Sequence, residues 1–118
     1  MSAVKCGDIV SVRLDQVSGN GADEVFRHAV VVSADIVNEN LKTVLACPLV
    51  AAKSVSRSRV GATFLPQDKI GLDSDFLALS LQIRTISKER IVKRVSSLPR
   101  SYMSQIKESL KAVLDLDS

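Results

Sequence analysis

Aromatic side chains are scarce in this sequence of 118 residues, since it has no tryptophan and aromatic residues make up only 3%. Proteins that hold single-stranded nucleic acid without sequence preference stack successive bases on aromatic rings. So few rings argue against a platform of that kind. The available rings belong to Phe26, Phe64, Phe76 and Tyr102.

Cysteine and histidine are also few. The two cysteines, Cys6 and Cys47, are too few for a disulfide framework, and they do not have the CxxC spacing. With His28 as the single histidine, the sequence argues against a zinc site. We therefore expect both cysteines to be small buried apolar residues, with no metal and no other cofactor.

Long hydrophobic runs are absent, since none approaches the roughly 20 residues that a membrane span needs. The start lacks a basic segment followed by an apolar stretch, so no signal peptide is visible. Apolar residues make up 46% and charged residues 25%, which is typical of a globular domain. We expect one cytoplasmic domain over residues 1–118, without membrane contact. Its net charge of +3 permits an anionic partner but does not require one.

The most informative stretch is the apolar run at residues 27–34, which contains three consecutive valines. Branched side chains favour strands, and an uninterrupted apolar run predicts a strand covered on both faces. The strand begins at Arg27 and follows a glycine-bearing segment, residues 17–24, that we expect to be a loop. A buried strand with a cation at its mouth, next to such a loop, can form a binding site.

The remaining pattern predicts short strands, two helical turns and one longer helix. Asp35 and Ser87 are the expected caps of the turns at 35–41 and 87–90, and Pro99 is expected just inside the start of the last helix. Pro48 should mark an edge, a bulge or a change of strand. The fold class is therefore mainly β, or α+β, with five or six strands in a strongly bent sheet or barrel. Strands are predicted at 7–14, 43–51, 61–65, 76–86 and 91–95, and the last helix at 101–116.

Several motifs, in their order and spacing, resemble the MazF/PemK (Kid-like) family of toxin endoribonucleases. The similarity covers nearly the whole chain. It rests on Gly-Asp-Ile-Val at 7–10, on Arg27 with its valine strand, on Cys-Pro-Leu at 47–49, and on Gln-Ile-Arg-Thr-Ile with Lys-Glu-Arg at 82–90.

The resemblance implies a small SH3-like barrel, of the type shared by CcdB, MazF and PemK, with a C-terminal helix and a homodimeric assembly. It also implies the toxin of a toxin–antitoxin pair, held in check by a cognate antitoxin. The implied activity is metal-independent cleavage of single-stranded mRNA, in which a ribose 2′-hydroxyl attacks the adjacent phosphate and leaves a cyclic phosphate.

By the same resemblance Arg27 is the catalytic arginine, although an ordinary ion pair with Asp23 or Glu24 is the alternative. The family carries Thr or Ser where this chain has Val50, so a hydroxyl is missing, and Ser54 is a possible substitute. The family's loop glutamate falls on Ala22, which leaves Asp23 and Glu24 as candidate carboxylates.

His28 replaces the family's proline and is a tempting general base. Strand alternation argues against that role, because neighbouring side chains point to opposite faces. RNA contacts are expected from Asn20 and Gln82. They are also expected from a basic loop that carries Lys53, Arg57 and Arg59, unless that loop is merely solvated.

Three functions remain open at this point. The first is the endoribonuclease toxin. The second is a catalytically weakened or inactive protein that binds RNA or antitoxin, because Val50 lacks the family hydroxyl. The third is a gyrase poison similar to CcdB, which ranks last because this chain has no tryptophan near its C-terminus.

Overall fold

A single antiparallel sheet of seven strands dominates the computed structural model. The model describes residues 4–17, 24–52 and 60–116, with the side chains of all of these except residues 14–17 and 24. The strands are β1 (Asp8–Val17), β2 (Glu24–Val31), β3 (Thr43–Ala51), β4 (Ala62–Leu65), β5 (Phe76–Leu79), β6 (Arg84–Ser87) and β7 (Ile91–Ser97).

The strand order is β4-β5-β3-β2-β1-β7, and β6 pairs with β3 beside this path. The mainly β class is confirmed, but there are seven strands where five or six were predicted. The predicted barrel is not closed in the described residues, because β4 and β7 remain at opposite edges. Two register shifts between β1 and β7 disturb that edge, and β4 packs against the C-terminal helix instead of meeting β7.

Three helices accompany the sheet: α1 (Asp35–Asn40), α2 (Gln67–Ile70) and α3 (Arg100–Leu114). The predicted C-terminal helix is confirmed with small shifts of its ends. Met103 and Ile106 are buried, whereas Leu114 is exposed, so the apolar face loosens in the last turn. Pro99 is the N-cap and lies just outside the helix. None of the helices in the described part is long and apolar enough to cross a membrane.

The two predicted caps have different outcomes. Ser87 caps the 3-10 turn Lys88–Arg90, since its side chain accepts a hydrogen bond from the Glu89 amide at 3.3 Å. The prediction for Asp35 is wrong, because Ala34 is the N-cap and Asp35 is the first helical residue. The Asp35 carboxylate accepts from the Cys6 amide at 2.8 Å, so a long-range contact replaces the local cap.

The single strand predicted over 76–86 is interrupted by a 3-10 turn, Ser80–Gln82, between β5 and β6. The interruption arises because β3 has two partners: it pairs with β6 through residues 43–46 and with β5 through residues 49–51. Pro48 pairs with neither β5 nor β6. It therefore marks the position at which β3 changes its partner strand, which is one of the roles predicted for it.

The centre of β2 is buried on both faces, as its sequence predicted. Ala29, Val30 and Val31 are all 0% exposed. Val30 belongs to a helix-side cluster, and its two neighbours belong to an inner cluster on the opposite face. The helix-side cluster includes Ile9, Leu49, Met103 and Ile106, and the inner cluster includes Val10, Val44, Val50 and Leu77.

Candidate functional site

Arg27 lies on β2, exposed, between the buried Phe26 and the half-buried His28. The β1–β2 ladder is irregular at this point. Ser11 pairs with His28 but Asp15 pairs with Phe26, so β1 carries two extra residues opposite Arg27. Bulges bend a strand and redirect its side chains, and they often occur beside active sites.

The other neighbour of β2 is β3, where His28 pairs with Leu49 and Ala29 with Pro48. Continuing this register by one residue sets Arg27 opposite Val50. Val50 is 3% exposed and belongs to the inner cluster together with Ala29. Strand alternation does not assign Arg27 to one face, because Phe26 and Ala29 both belong to the inner cluster although an odd number of residues separates them, and the β1 bulge lies opposite this segment. The position where the resemblance expects a hydroxyl is thus a cross-strand neighbour of the arginine, and it is occupied by an apolar side chain.

His28 faces the opposite, helix side of the sheet. Its ring meets the edge of Phe76 at 6.0 Å between centroids, and Phe76 packs on the helix-side cluster. The Nδ1 atom is buried and has no hydrogen-bond partner within the described residues. Burial, and then the positive charge of Arg27, lower the pKa of His28 below its ordinary value. This placement agrees with strand alternation, since Val30, two residues further along β2, also belongs to the helix-side cluster.

A second arginine joins Gln82 to the strand that carries Arg27. The guanidinium carbon of Arg84 lies 5.2 Å from the ring centroid of Phe26. Arg84 Nε donates to the Gln82 carbonyl oxygen at 3.2 Å, and Nη2 donates to Gln82 Oε1 at 3.2 Å. A guanidinium can stack on a ring and donate in its own plane at the same time.

The strand predicted over 76–86 includes both Gln82 and Arg84, which is wrong for Gln82 because it belongs to the 3-10 turn. Their side chains nevertheless meet, across the end of that turn. The role of Phe26 was missed. The signal that could have found it is its position directly before Arg27, as one of only three phenylalanines.

Several predicted site residues lie outside the described part of the chain: Asn20, Asp23, Lys53, Ser54, Arg57 and Arg59. Glu24 begins β2, but its side chain is outside the described set as well. Within the described residues, no carboxylate pairs with Arg27. The contacts within the described residues join Phe26, Arg84 and Gln82. Arg27 follows Phe26 on β2, and Val50 is the residue that an extension of the β2–β3 register would set opposite it.

The Gly-Asp motif at residues 7 and 8 lies where β1 pairs with β7. Asp8 is 3% exposed, and its carboxylate accepts from the Lys5 amide at 2.9 Å and from Arg94 Nε at 3.1 Å. This ion pair between the buried Asp8 and the half-exposed Arg94 ties β1 to β7 and lines a groove of about 890 Å³. The pair is an anchor for the sheet edge, since both oxygens of the carboxylate accept hydrogen bonds within the protein.

The cysteine prediction holds for Cys47, which is fully buried and whose pKa is raised to about 12 by burial. Cys6 is only half-buried: its amide donates to Asp35 of α1, and its thiol donates to the Val32 carbonyl oxygen at 3.7 Å. Among the described residues there is no group of three His, Cys, Asp or Glu side chains that could hold a metal ion.

A seven-stranded antiparallel sheet with a C-terminal helix, and an exposed arginine on β2 opposite a bulge in β1, define the described part of the chain as a small β-rich domain. The family model for the PemK-like, MazF-like toxins of type II toxin–antitoxin systems matches residues 5–114. The chain belongs to this family.

Individual proteins agree with this assignment. Endoribonuclease MazF9 of Mycobacterium tuberculosis (strain ATCC 25618 / H37Rv) is 29% identical over 113 residues, which cover 93% of this chain and 95% of that protein. The structure of an endoribonuclease from a mycobacterial species superposes with a TM-score of 0.76 at 17% identity, covering 100% of this chain and 97% of the other. A mycobacterial endoribonuclease in complex with its cognate antitoxin gives 0.68 at 15% identity, covering 98% and 96%.

Proposed function

We propose that this protein is an endoribonuclease toxin that cleaves single-stranded mRNA, with Arg27 as the residue that stabilises the reacting phosphate. The observation that carries this proposal is the position of Arg27. Its guanidinium is exposed on the central strand, opposite the β1 bulge, with a buried ring before it and buried valines after it. A cation held on a rigid strand loses little further freedom when it binds a phosphate.

The proposed reaction is an attack within the substrate. The ribose 2′-oxygen forms a bond to the adjacent phosphorus while the bond from phosphorus to the 5′-oxygen breaks, which leaves a cyclic phosphate and a 5′-hydroxyl. A base must accept the proton of the 2′-hydroxyl, and the leaving 5′-oxygen must receive one. Negative charge grows on the phosphate oxygens in the transition state, and the planar donors of Arg27 match that charge.

Because the nucleophile belongs to the RNA itself, the proposed reaction needs no bound metal. The test is incubation of the purified protein with a long RNA in excess EDTA, followed by mapping of the new 5′ ends and of the terminal phosphates. We expect discrete cuts at a recurrent short sequence, with cyclic phosphates. An intact RNA under these conditions would contradict the proposal.

As a family toxin, the protein would act in the cytoplasm and be restrained by a cognate antitoxin, as the mycobacterial relative described above is bound by its own. We also propose a homodimer. Val60 and Leu81 are exposed, and Leu81 lies against Gly61, the residue after Val60, since a Cβ on Gly61 would lie 2.7 Å from Leu81 Cγ. Apolar surface of this kind is typical of an interface. Light scattering on the purified protein tests the dimer.

The second candidate function is a protein that binds RNA or antitoxin but cleaves weakly. The observation that favours it is Val50, which is buried opposite Arg27 and has neither a donor nor an acceptor. This function predicts RNA binding without detectable cuts in the same incubation. Inhibition of DNA gyrase by the purified protein would instead favour the gyrase-poison alternative.

A further inference from the structure

A groove of about 890 Å³ follows one edge of the sheet, and Arg27 is not among the residues that line it. The edge strand is β7, since β1 is its only partner among the described strands. Residues 91–94 of β7 line the groove together with residues 4–6 of the N-terminal segment. Because successive residues of a strand point to opposite faces, a groove lined by four in succession follows the exposed edge itself.

The lining of this groove carries positive charge. Its cations are Lys5, Lys93 and Arg94, and its single carboxylate is that of Asp8. This carboxylate is already bonded to Arg94 Nε at 3.1 Å and to the Lys5 amide at 2.9 Å. Within the described part of the chain, no carboxylate forms an ion pair with the ammonium group of Lys5 or Lys93. An anionic ligand would therefore meet two exposed charges that the protein does not neutralise.

The surroundings of Cys6, at one end of the groove, do not cancel this charge. Burial raises the pKa of the Cys6 thiol, Lys107 opposes that shift, and Asp35 and Asp8 add to it. Asp35 is held there because its carboxylate accepts from the Cys6 amide at 2.8 Å. One further carboxylate and one further cation thus act on this end of the groove, and their charges oppose each other.

The groove also offers apolar surface to a ligand. Val92 is 65% exposed, and the other aliphatic lining residues are Val4, Val10 and Ile91. None of the described residues that line it has an aromatic ring. Single-stranded RNA is commonly held by stacking its bases on such rings, so this surface suits aliphatic side chains better than bases. A second copy of this chain fits poorly, because it would bring the same cations onto the same edge.

We infer that this groove binds an extended acidic segment of the cognate antitoxin, with carboxylates near Lys5 and Lys93 and aliphatic side chains against Val92. An extended peptide can lie along an exposed strand edge, where its alternate side chains provide specificity. The inference rests on the proposed function for the existence of the antitoxin. Because β1 lies between β7 and β2, the surface is separate from the strand that carries Arg27.

The test measures binding of a fluorescent peptide, three repeats of Glu-Leu-Asp-Val, to the purified protein by anisotropy at low salt. We expect saturable binding. Lys93→Gln should weaken it about threefold, and the double change with Lys5→Gln about tenfold, as is typical of exposed ion pairs. Lys42→Gln is the matched control, since it removes the same charge from an exposed lysine outside the groove and should leave the affinity unchanged.

Val92→Asp is the sharper variant. It adds a carboxylate to the groove and removes apolar contact, so the affinity for the acidic peptide should fall more than about tenfold. The fold should be retained, because the side chain is exposed. Leu114→Asp, the same kind of change at an exposed position of α3, should leave peptide binding intact.

Absence of saturable binding, or an affinity that Lys93→Gln and Val92→Asp leave unchanged, would overturn the inference. If these variants lost affinity for single-stranded RNA instead of the peptide, the groove would belong to RNA, and the inference would be wrong. The two proposals fail separately. Peptide binding with the expected pattern in a protein that cuts nothing would refute only the nuclease, and cutting without peptide binding would refute only the docking site.

Discussion

The two halves of β2 have opposite surroundings although they belong to one strand. Its second half, Ala29–Val31, is fully buried and has regular partners on both sides. Its first half holds the exposed Arg27, where the β1 register shifts by two residues and where the pairing with β3, which runs from His28 to Val31, has ended. The regular half gives the domain its stability, and the irregular half gives it a place where a guanidinium can meet a ligand.

The comparison shows that neighbouring residues of one strand can supply both a rigid backbone and a side chain that is accessible to a ligand. A charge in the regular half would be buried at a high cost in free energy. A charge on a loop alone would have to be ordered when the ligand binds. Arg27 avoids both costs, because its backbone is fixed by the strand and its side chain emerges where the ladder is disturbed.

The largest expected effect comes from Arg27→Ala. We expect cleavage in EDTA to fall by about a hundred- to a thousandfold, since one preorganised charge donor to the transition state is lost. The free energy of unfolding should stay within about 0.5 kcal/mol of wild type, because the side chain is exposed. Arg100→Ala, an exposed arginine on α3, is the matched control and should cut normally. Unchanged cleavage by Arg27→Ala would remove this residue from the mechanism.

The converse change is Val30→Ala, in the regular half of the strand. Removing two buried methyl groups should lower the free energy of unfolding by about 2 kcal/mol in urea titration. Cleavage per folded molecule should remain near wild type, because Val30 faces the helix-side cluster and not the site. A loss of cleavage without a loss of stability would show that the two halves are coupled.

Val50→Thr tests whether the missing hydroxyl limits the chemistry. A hydroxyl in hydrogen-bond reach of a charged phosphate should raise the cleavage rate by about tenfold. Val44→Thr is the matched control, since it buries the same hydroxyl in the same strand but opposite Ile86 instead of Arg27. Equal rates for wild type and Val50→Thr would mean that another residue supplies the hydroxyl, with Ser54 the first to examine.

The smallest expected effect concerns the opposite face, at His28. Its pKa in the folded protein is lowered from 6.5, first by burial and then by Arg27 and Lys93, with Asp73 opposing. As the pH falls below 6.5, the unfolded chain takes up the proton first, so the free energy of unfolding should decrease. Full stability is retained above that pH, where both states are neutral.

His28→Gln should weaken this pH dependence, which urea titrations at about pH 7.5 and about pH 5 would measure. The variant should also keep the pH profile of cleavage, because His28 lies on the helix side. If the cleavage profile changed with this substitution while the stability profile did not, His28 would belong to the reaction after all.

Much of the fold could be predicted from local pattern. The bounds of β3, the buried centre of β2, the Ser87 cap and the apolar face of α3 follow from side-chain type and spacing. The prediction over 76–86 failed because the break at Ser80–Gln82 depends on β3 exchanging one partner for another, which is a long-range event. The predicted cap at Asp35 failed for a similar reason, because its carboxylate accepts a hydrogen bond from the distant Cys6 amide.

The site divides in the same way. The sequence by itself determined that a cation, Arg27, comes shortly before a buried run of valines, because side-chain branching and polarity act locally. The expectation that the strand begins at Arg27 was wrong, since β2 begins at Glu24. Only the tertiary structure decided what surrounds Arg27. Strand register placed the β1 bulge opposite Arg27, and the turn before β6 brought Arg84 to both Gln82 and Phe26. The physical reason is that register and turns are fixed by the packing of the whole sheet, and no single segment carries that information.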